Sequence, residues 1–195
     1  MEFFEALNTR RSQYGIDNTC SISDEEIIEI VKKGIRPTPS PYNIQSTRAV
    51  ILFGENHKKL WEIVKEVLLD KIGPERFVKT EKKIDSQFLA GYATVMFFIN
   101  EELVKKHAEE MDELFYTWSD QSAGMAQGNV WVGLSQAGLG ASLQHYNPII
   151  DEKVKKEFDI PKEWKLISQM PFGDIIKEPK EKEFEDIDKL VKVKK

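Results

Sequence analysis

Residues 124–148 read GMAQGNVWVGLSQAGLGASLQHYNP, the least charged long run in a chain otherwise rich in Lys and Glu. Residues 125–137 have the length of a helix and are apolar on nearly every side: Met125, Ala126, Val130, Trp131, Val132, Leu134, Ala137. A helix without a polar face belongs in a core. Gly124, Gly128 and Gly133 interrupt it, each at about 1 kcal/mol against Ala. A helix that accepts this lets another backbone come close. Gly138 stands where a C-cap belongs, and residues 140–144 read as a strand. This buried helix and the strand after it are expected to form the spine of the fold.

Gly138-Leu139-Gly140 offers part of the dinucleotide fingerprint G-x-G-x-x-G. That motif needs a strand before the glycines and a helix after them. Here the order is reversed, and Leu143 stands in place of the third glycine, so a Rossmann reading fails.

Outward from the spine, the pattern alternates. A short helix over residues 2–8 would turn Phe3, Phe4 and Leu7 inward, then stop at the polar turn Thr9-Arg10-Arg11-Ser12. Ser23 and Glu26 form a capping box for a helix that Gly34 should end. Pro37, Pro39 and Pro41 exclude helix and central strand from residues 36–43. Residues 49–53 and 94–99 are apolar runs that read as strands buried on both faces. Between them, residues 56–69 have helical periodicity, Gly73-Pro74 breaks it, and a weaker helix spans 75–88. Residues 101–116 are charged and irregular, partly helical. Residues 151–158 read as a short helix, 164–170 as a strand, 173–182 as a loop and 184–193 as an edge strand. The pattern predicts an α+β fold, a mostly antiparallel central sheet flanked by helices, in one domain spanning 1–195.

Composition narrows the function classes. The chain has 195 residues, 31% charged, and a net charge of −5, which suits a soluble protein and argues against nucleic acid as partner. No apolar run can span a membrane, and the opening carries no signal peptide, so the protein is expected in the cytoplasm. The one cysteine, Cys20, excludes an internal disulfide and a Cys-cluster metal site. No two histidines stand at metal-ligand spacing, and there is no nucleophile elbow. His57 and His107 lie in charged surroundings and read as surface residues.

Three segments could carry chemistry. Arg10, Arg11 and Ser12 offer guanidinium forks and a hydroxyl to a phosphate, or form a solvated basic turn. Asn43, Gln45 and Ser46 carry amides and a hydroxyl suited to a heterocycle edge, or simply close turns. Leu143, Gln144 and His145 leave the spine strand before a proline loop and could line a ligand, or His145 is a lone structural histidine. Lys180 and Lys182 could add late positive charge, or alternate with Glu178, Glu181 and Glu183 as plain surface.

In this order the segments resemble the FMN-dependent nitroreductase family over nearly the whole chain. The resemblance rests on the early Arg-Arg-Ser, the Pro-Ser…Asn-x-Gln-Ser loop, the glycine-rich helix running into Gly138-Leu-Gly-Ala-Ser, and the late Gly173…Pro179-Lys-x-Lys. Trp118-Ser-Asp-Gln-Ser-Ala-Gly-Met125, Ser142-Leu-Gln-His-Tyr-Asn-Pro148 and Gln169-Met-Pro-Phe-Gly173 are similar to the small branch known from yeast fatty-acid-response and hydroxynitroreductase-like proteins and their bacterial relatives. The resemblance implies a nitroreductase-like sandwich, homodimeric, with FMN at the subunit interface and NADH or NADPH as donor. Nitroaromatics, quinones or similar electron-poor molecules would be the acceptors, in a ping-pong cycle. Arg10, Arg11 and Ser12, with Lys180 or Lys182, would hold the phosphate and ribityl chain. Asn43, Gln45 and Ser46 would come from the other subunit, and Leu143, Gln144 and His145 would lie along the isoalloxazine. The flavin carries the chemistry, so no side chain is assigned as a general acid. Tyr14 stands where many members have Arg or Lys, and Gln45-Ser46-Thr47 where many have Gln-Pro-Trp; Arg48 is the cation that could compensate near the flavin. A flavin-binding redox or stress sensor without turnover is the alternative from another class.

Overall fold

The computed structural model describes residues 3–179 and 181–195. Five strands form one sheet: β1 (Gly15–Ile16), β2 (Thr47–Phe53), β3 (Ala93–Asn100), β4 (Leu139–Ala141) and β5 (Trp164–Lys177). The order is β1-β5-β3-β2, every pairing is antiparallel, and β4 adds to β5. Strand β3 alternates its side chains between the two faces, as the two-residue period of a strand requires. Val95 and Phe97 enter one core and Met96 and Phe98 the other.

Helices cover both faces. One core packs α3 (Gly54–Ile72), α4 (Pro74–Ile84) and α7 (Asp151–Glu157) on the sheet, through Leu60, Trp61, Ile84 and Val154. The other packs α2 (Asp24–Ile35) and α6 (Leu114–Gln136), through Ile27, Val31, Val130 and Leu134. Short α1 (Phe3–Thr9) contacts α6, and α5 (Glu101–Glu110) and α8 (Ile187–Leu190) complete the helices.

The capping box forms as expected: the Ser23 hydroxyl accepts from the Glu26 N–H while the Glu26 carboxylate accepts from the Ser23 N–H. Gly138 follows α6 with φ +85°, the left-handed conformation that favours glycine after a helix. Gly34 has another task than ending α2. A Cβ there would lie 2.7 Å from Val130 Cγ2 and 3.0 Å from Val130 N, so its bare Cα is what lets α2 cross α6.

Several expectations need correction. Helix α6 begins at Leu114 and, within one chain, buries a single face. That face carries Ser119, Ser122 and Gln127, while Met125 is exposed. Gly133 already faces Ile30 of the same chain, whereas Gly124 and Gly128 have open space above them. Phe3, Phe4 and Leu7 point outward, and only Ala6 of α1 is buried, because one face of a two-turn helix meets α6. Strand β2 is half-buried because it ends the sheet order. Residues 101–116 divide into α5 and the start of α6. Strand β5 continues through residues 173–177 because β1 and β4 supply its ladder partners. The expected edge strand in the tail is instead the single turn α8.

His57 is also not a surface residue; it is 2% exposed. The Leu89 carbonyl can only accept, so Nε2 donates to it at 3.1 Å. Nδ1 then accepts from the Thr94 hydroxyl at 2.8 Å, and Thr94 Oγ1 accepts the Trp61 indole N–H at 3.1 Å. This directional chain ties α3 to β3 and needs neutral imidazole. Burial pushes the His57 pKa down, the Leu89 bond opposing and Lys58 adding to the shift. Its stabilising contribution is therefore complete above the unfolded value of about 6.5 and is lost as pH falls toward the lower folded value. Denaturant midpoints should decline as pH falls below the unfolded value of about 6.5, and His57→Gln should flatten that decline while lowering the midpoint at neutral pH.

Candidate active site

The turn that follows α1 is fixed by the end of β4. Ser12 bridges Ala141 in parallel, and the Gln13 N–H donates to the Ala141 carbonyl at 2.9 Å. The Trp131 indole N–H reaches the same carbonyl at 3.2 Å, and the Arg10 guanidinium carbon lies 4.5 Å from the centroid of that ring. Gly140 makes room for the turn, since a Cβ there would come within 2.9 Å of Gln13 Cβ.

This packing opens a cleft of ≈ 1030 Å³. Arg10, Arg11, Ser12, Tyr14 and Lys182 all line it. Lys180 lies outside the described residues. Lys177 adds a further cation, while Glu178, Glu181 and Glu183 come from the tail. Gln13, Ser86 and Gln87 also line the cleft and were not singled out from the sequence. Ser86 and Gln87 belong to a π-turn (Asp85–Leu89) after α4, a local widening frequently found at functional sites. No charge or spacing signal marks it in the sequence. Gln13 is 5% exposed, and its side-chain oxygen has no partner among the described residues. Clustered guanidinium, ammonium and hydroxyl donors at one mouth suit a phosphate, so the phosphate end of FMN fits this cleft.

Leu143, Gln144 and His145 follow Ser142, the residue after Ala141, and none of them is among the residues that line the cleft. Gln144 is held by two backbone bonds to Gln169, at 2.7 and 2.9 Å, and its side-chain amide donates to Ser142 Oγ at 3.0 Å. Leu143 packs on the core that includes Trp131, and His145 is exposed. Tyr146 then turns to the opposite core against Trp61 and Phe88, where burial pushes its phenol up to about 12.

Asn43, Gln45 and Ser46 do not line this cleft. They belong to a loop in which Tyr42, Asn43 and Gln45 all have positive φ, 48°, 57° and 50°. Such backbone costs energy for non-glycine residues and clusters at functional sites. Asn43 and Gln45 are exposed, and the Gln45 N–H donates to Ser40 Oγ at 2.9 Å. Ser46 is fully buried and its hydroxyl has no partner among the described residues. The Arg48 guanidinium donates to the Gln45 and Thr47 carbonyls, which commits it to bracing the loop. Tyr42 stacks on buried Phe115 at 5.7 Å, and Pro39, Pro41, Tyr42, Trp118 and Met125 line a shallow pocket of ≈ 320 Å³.

Helices on both faces of an antiparallel sheet, with a cationic cleft where the turn after α1 meets the end of β4, define an α+β protein with a phosphate-sized anion site. Residues 7–174 match the Nitroreductase family, and the chain belongs to that family, one of oxidoreductases that generally bind flavin. It is 30% identical over 187 residues to HBN1 of Saccharomyces cerevisiae, covering 93% of this chain and 92% of that protein. The nitroreductase FRM2 of the same yeast is 28% identical with the same coverage. Among solved structures, the nitroreductase CinD from Lactococcus lactis in complex with chloramphenicol superposes with a TM-score of 0.88 at 38% identity over 100% of both chains. CinD in complex with 4-nitrophenol gives the same TM-score and identity. Among the described residues, no helix is long and apolar enough to cross a membrane.

Proposed function

We propose that the protein is an FMN-dependent reductase of nitroaromatics, quinones or similar electron-poor acceptors, drawing on NADH or NADPH. It works as a homodimer of one FMN-binding domain spanning residues 1–195. The observation that carries this reading is the convergence of Arg10, Arg11, Ser12 and Lys182 on one cleft. The first three would bind the phosphate and ribityl chain, with Lys182 adding a cation from the tail. Leu143, Gln144 and His145 would lie along the flavin ring. Tyr14 offers a neutral O–H donor at the cleft instead of a cation. Bound FMN would supply the redox chemistry, taking reducing equivalents from the nicotinamide and delivering them to the acceptor.

The strained loop is the second part of the site. Asn43 and Gln45 present their amides on the surface, away from their own chain's cleft, an arrangement suited to a site lent to a partner. Ser46, buried behind them, would hold the loop in register. The shallow pocket beside Tyr42 and Trp118 is wide enough for a single aromatic ring. CinD, solved with chloramphenicol and with 4-nitrophenol, supports acceptors of that class.

A shared cleft admits donor and acceptor in turn. Double-reciprocal plots of NADH or NADPH consumption at several concentrations of a nitroaromatic should therefore be parallel. Intersecting lines, or no consumption, would contradict the mechanism.

Apolar surface argues for the dimer. Phe4 is 75% and Phe184 78% exposed, with Ile187, Leu190 and Val193 also outside. A groove of ≈ 950 Å³ between α1, α2 and α6 is lined by Phe3, Leu7, Ile30, Met125 and Val132. Exposed large apolar side chains gathered in such a groove suit an interaction face. Light scattering should give a mass near twice 22.5 kDa. Gly128 has open space above it in one chain, so Gly128→Leu should leave the helix folded and disrupt only the dimer, releasing flavin with it. A stable flavin-loaded monomer from either protein would refute the shared site.

A further inference from the structure

We propose that Trp131 is a positioning residue for the cofactor phosphate, holding Arg10 at the mouth of the cleft; this rests on the reading of that cleft as the FMN phosphate site. Arg10 lies on a border. It lines both the cationic cleft and the apolar groove between α1 and α6. A long flexible side chain at such a border has two directions open to it, and rotamer freedom favours neither.

The indole decides between them. Its N–H is spent on the Ala141 carbonyl at 3.2 Å, which fixes the plane of the ring against β4. Its face is then presented to Arg10, whose guanidinium carbon lies 4.5 Å from the ring centroid, well inside the range of a cation–π contact. A guanidinium held over a ring uses its charge there and not its N–H donors, so its hydrogen-bonding fork stays available to a phosphate.

The geometry gives Trp131 a second hold on the site. Ala141 accepts from the Gln13 N–H at 2.9 Å and bridges Ser12, and Leu143 follows two residues later. One side chain of α6 therefore touches the cation at the phosphate end and the backbone leading to the ring end. The two contacts are chemically separable: Phe keeps the ring face and loses the N–H, whereas Met fills space and keeps neither.

The test compares FMN with riboflavin, which lacks the phosphate, by fluorescence titration of the full-length chain stripped of flavin. The quantity read is the ratio of the two dissociation constants on the same sample, so a reduced folded fraction cancels. Wild type should favour FMN. Trp131→Met should reduce that preference by on the order of fivefold, and Trp131→Phe should retain most of it even where both flavins bind more weakly. Arg10→Ala should reduce it at least as far as Trp131→Met, which keeps the proposal open to refutation should the Met variant not fold. An unchanged ratio in Trp131→Met or in Arg10→Ala would overturn the proposal. Equal loss in the Phe and Met variants would also overturn it, because the indole N–H and not the ring face would then be acting. A wild type with no preference for FMN would overturn the phosphate reading, and the proposal with it.

Discussion

The backbone carbonyl of Ala141 is the joint on which the site depends. A carbonyl oxygen has two lone pairs, and this one accepts from the Gln13 N–H and from the Trp131 indole. Ala141 also pairs with Phe172 in the sheet. The turn after α1, helix α6, strand β4 and, through Phe172, strand β5 thus meet at one residue. Each net bond contributes only about 1 kcal/mol, but leaving such a buried group unpaired costs more. The basic turn therefore cannot shift without breaking the register of β4. A turn that sequence alone leaves between phosphate cradle and solvated surface becomes a fixed wall of the cleft.

The same logic explains the division of the protein into a rigid frame and exposed functional edges. Strand β3 is buried on both faces and carries the two cores, and the His57–Thr94–Trp61 chain ties it to α3. The cleft, the strained loop at Tyr42–Gln45 and the apolar surfaces of α1 and the tail lie outside that frame. Binding residues concentrate on such edges because the frame holds them in place without their having to contribute to its stability.

What the sequence made legible was the part governed by local rules. The Ser23–Glu26 box, Gly138 after the long helix, the Gly73-Pro74 break and the apolar run of residues 94–99 each carry a short-range signal. The errors fall where long-range pairing decides. Residues 173–177 are strand because β1 and β4 reach them, and nothing in their own charge pattern says so. His57, flanked by charged neighbours, is buried because α3 turns that one position onto Thr94. Gly34 reads as a terminator until its distance to Val130 is known. Of the residues that line the cleft, Arg10, Arg11, Ser12 and Lys182 were singled out by the order of their motifs. Gln13 and Gln87 were not, because their place is set by packing against other elements and carries no motif.

The central claim is that the cleft beside Ala141 holds FMN. The most direct measurement is the visible absorption spectrum of the purified protein, followed by identification of any chromophore released by acid. The account predicts a yellow protein with flavin bands that releases FMN on acid treatment. A colourless protein that fails to take up added FMN would contradict it.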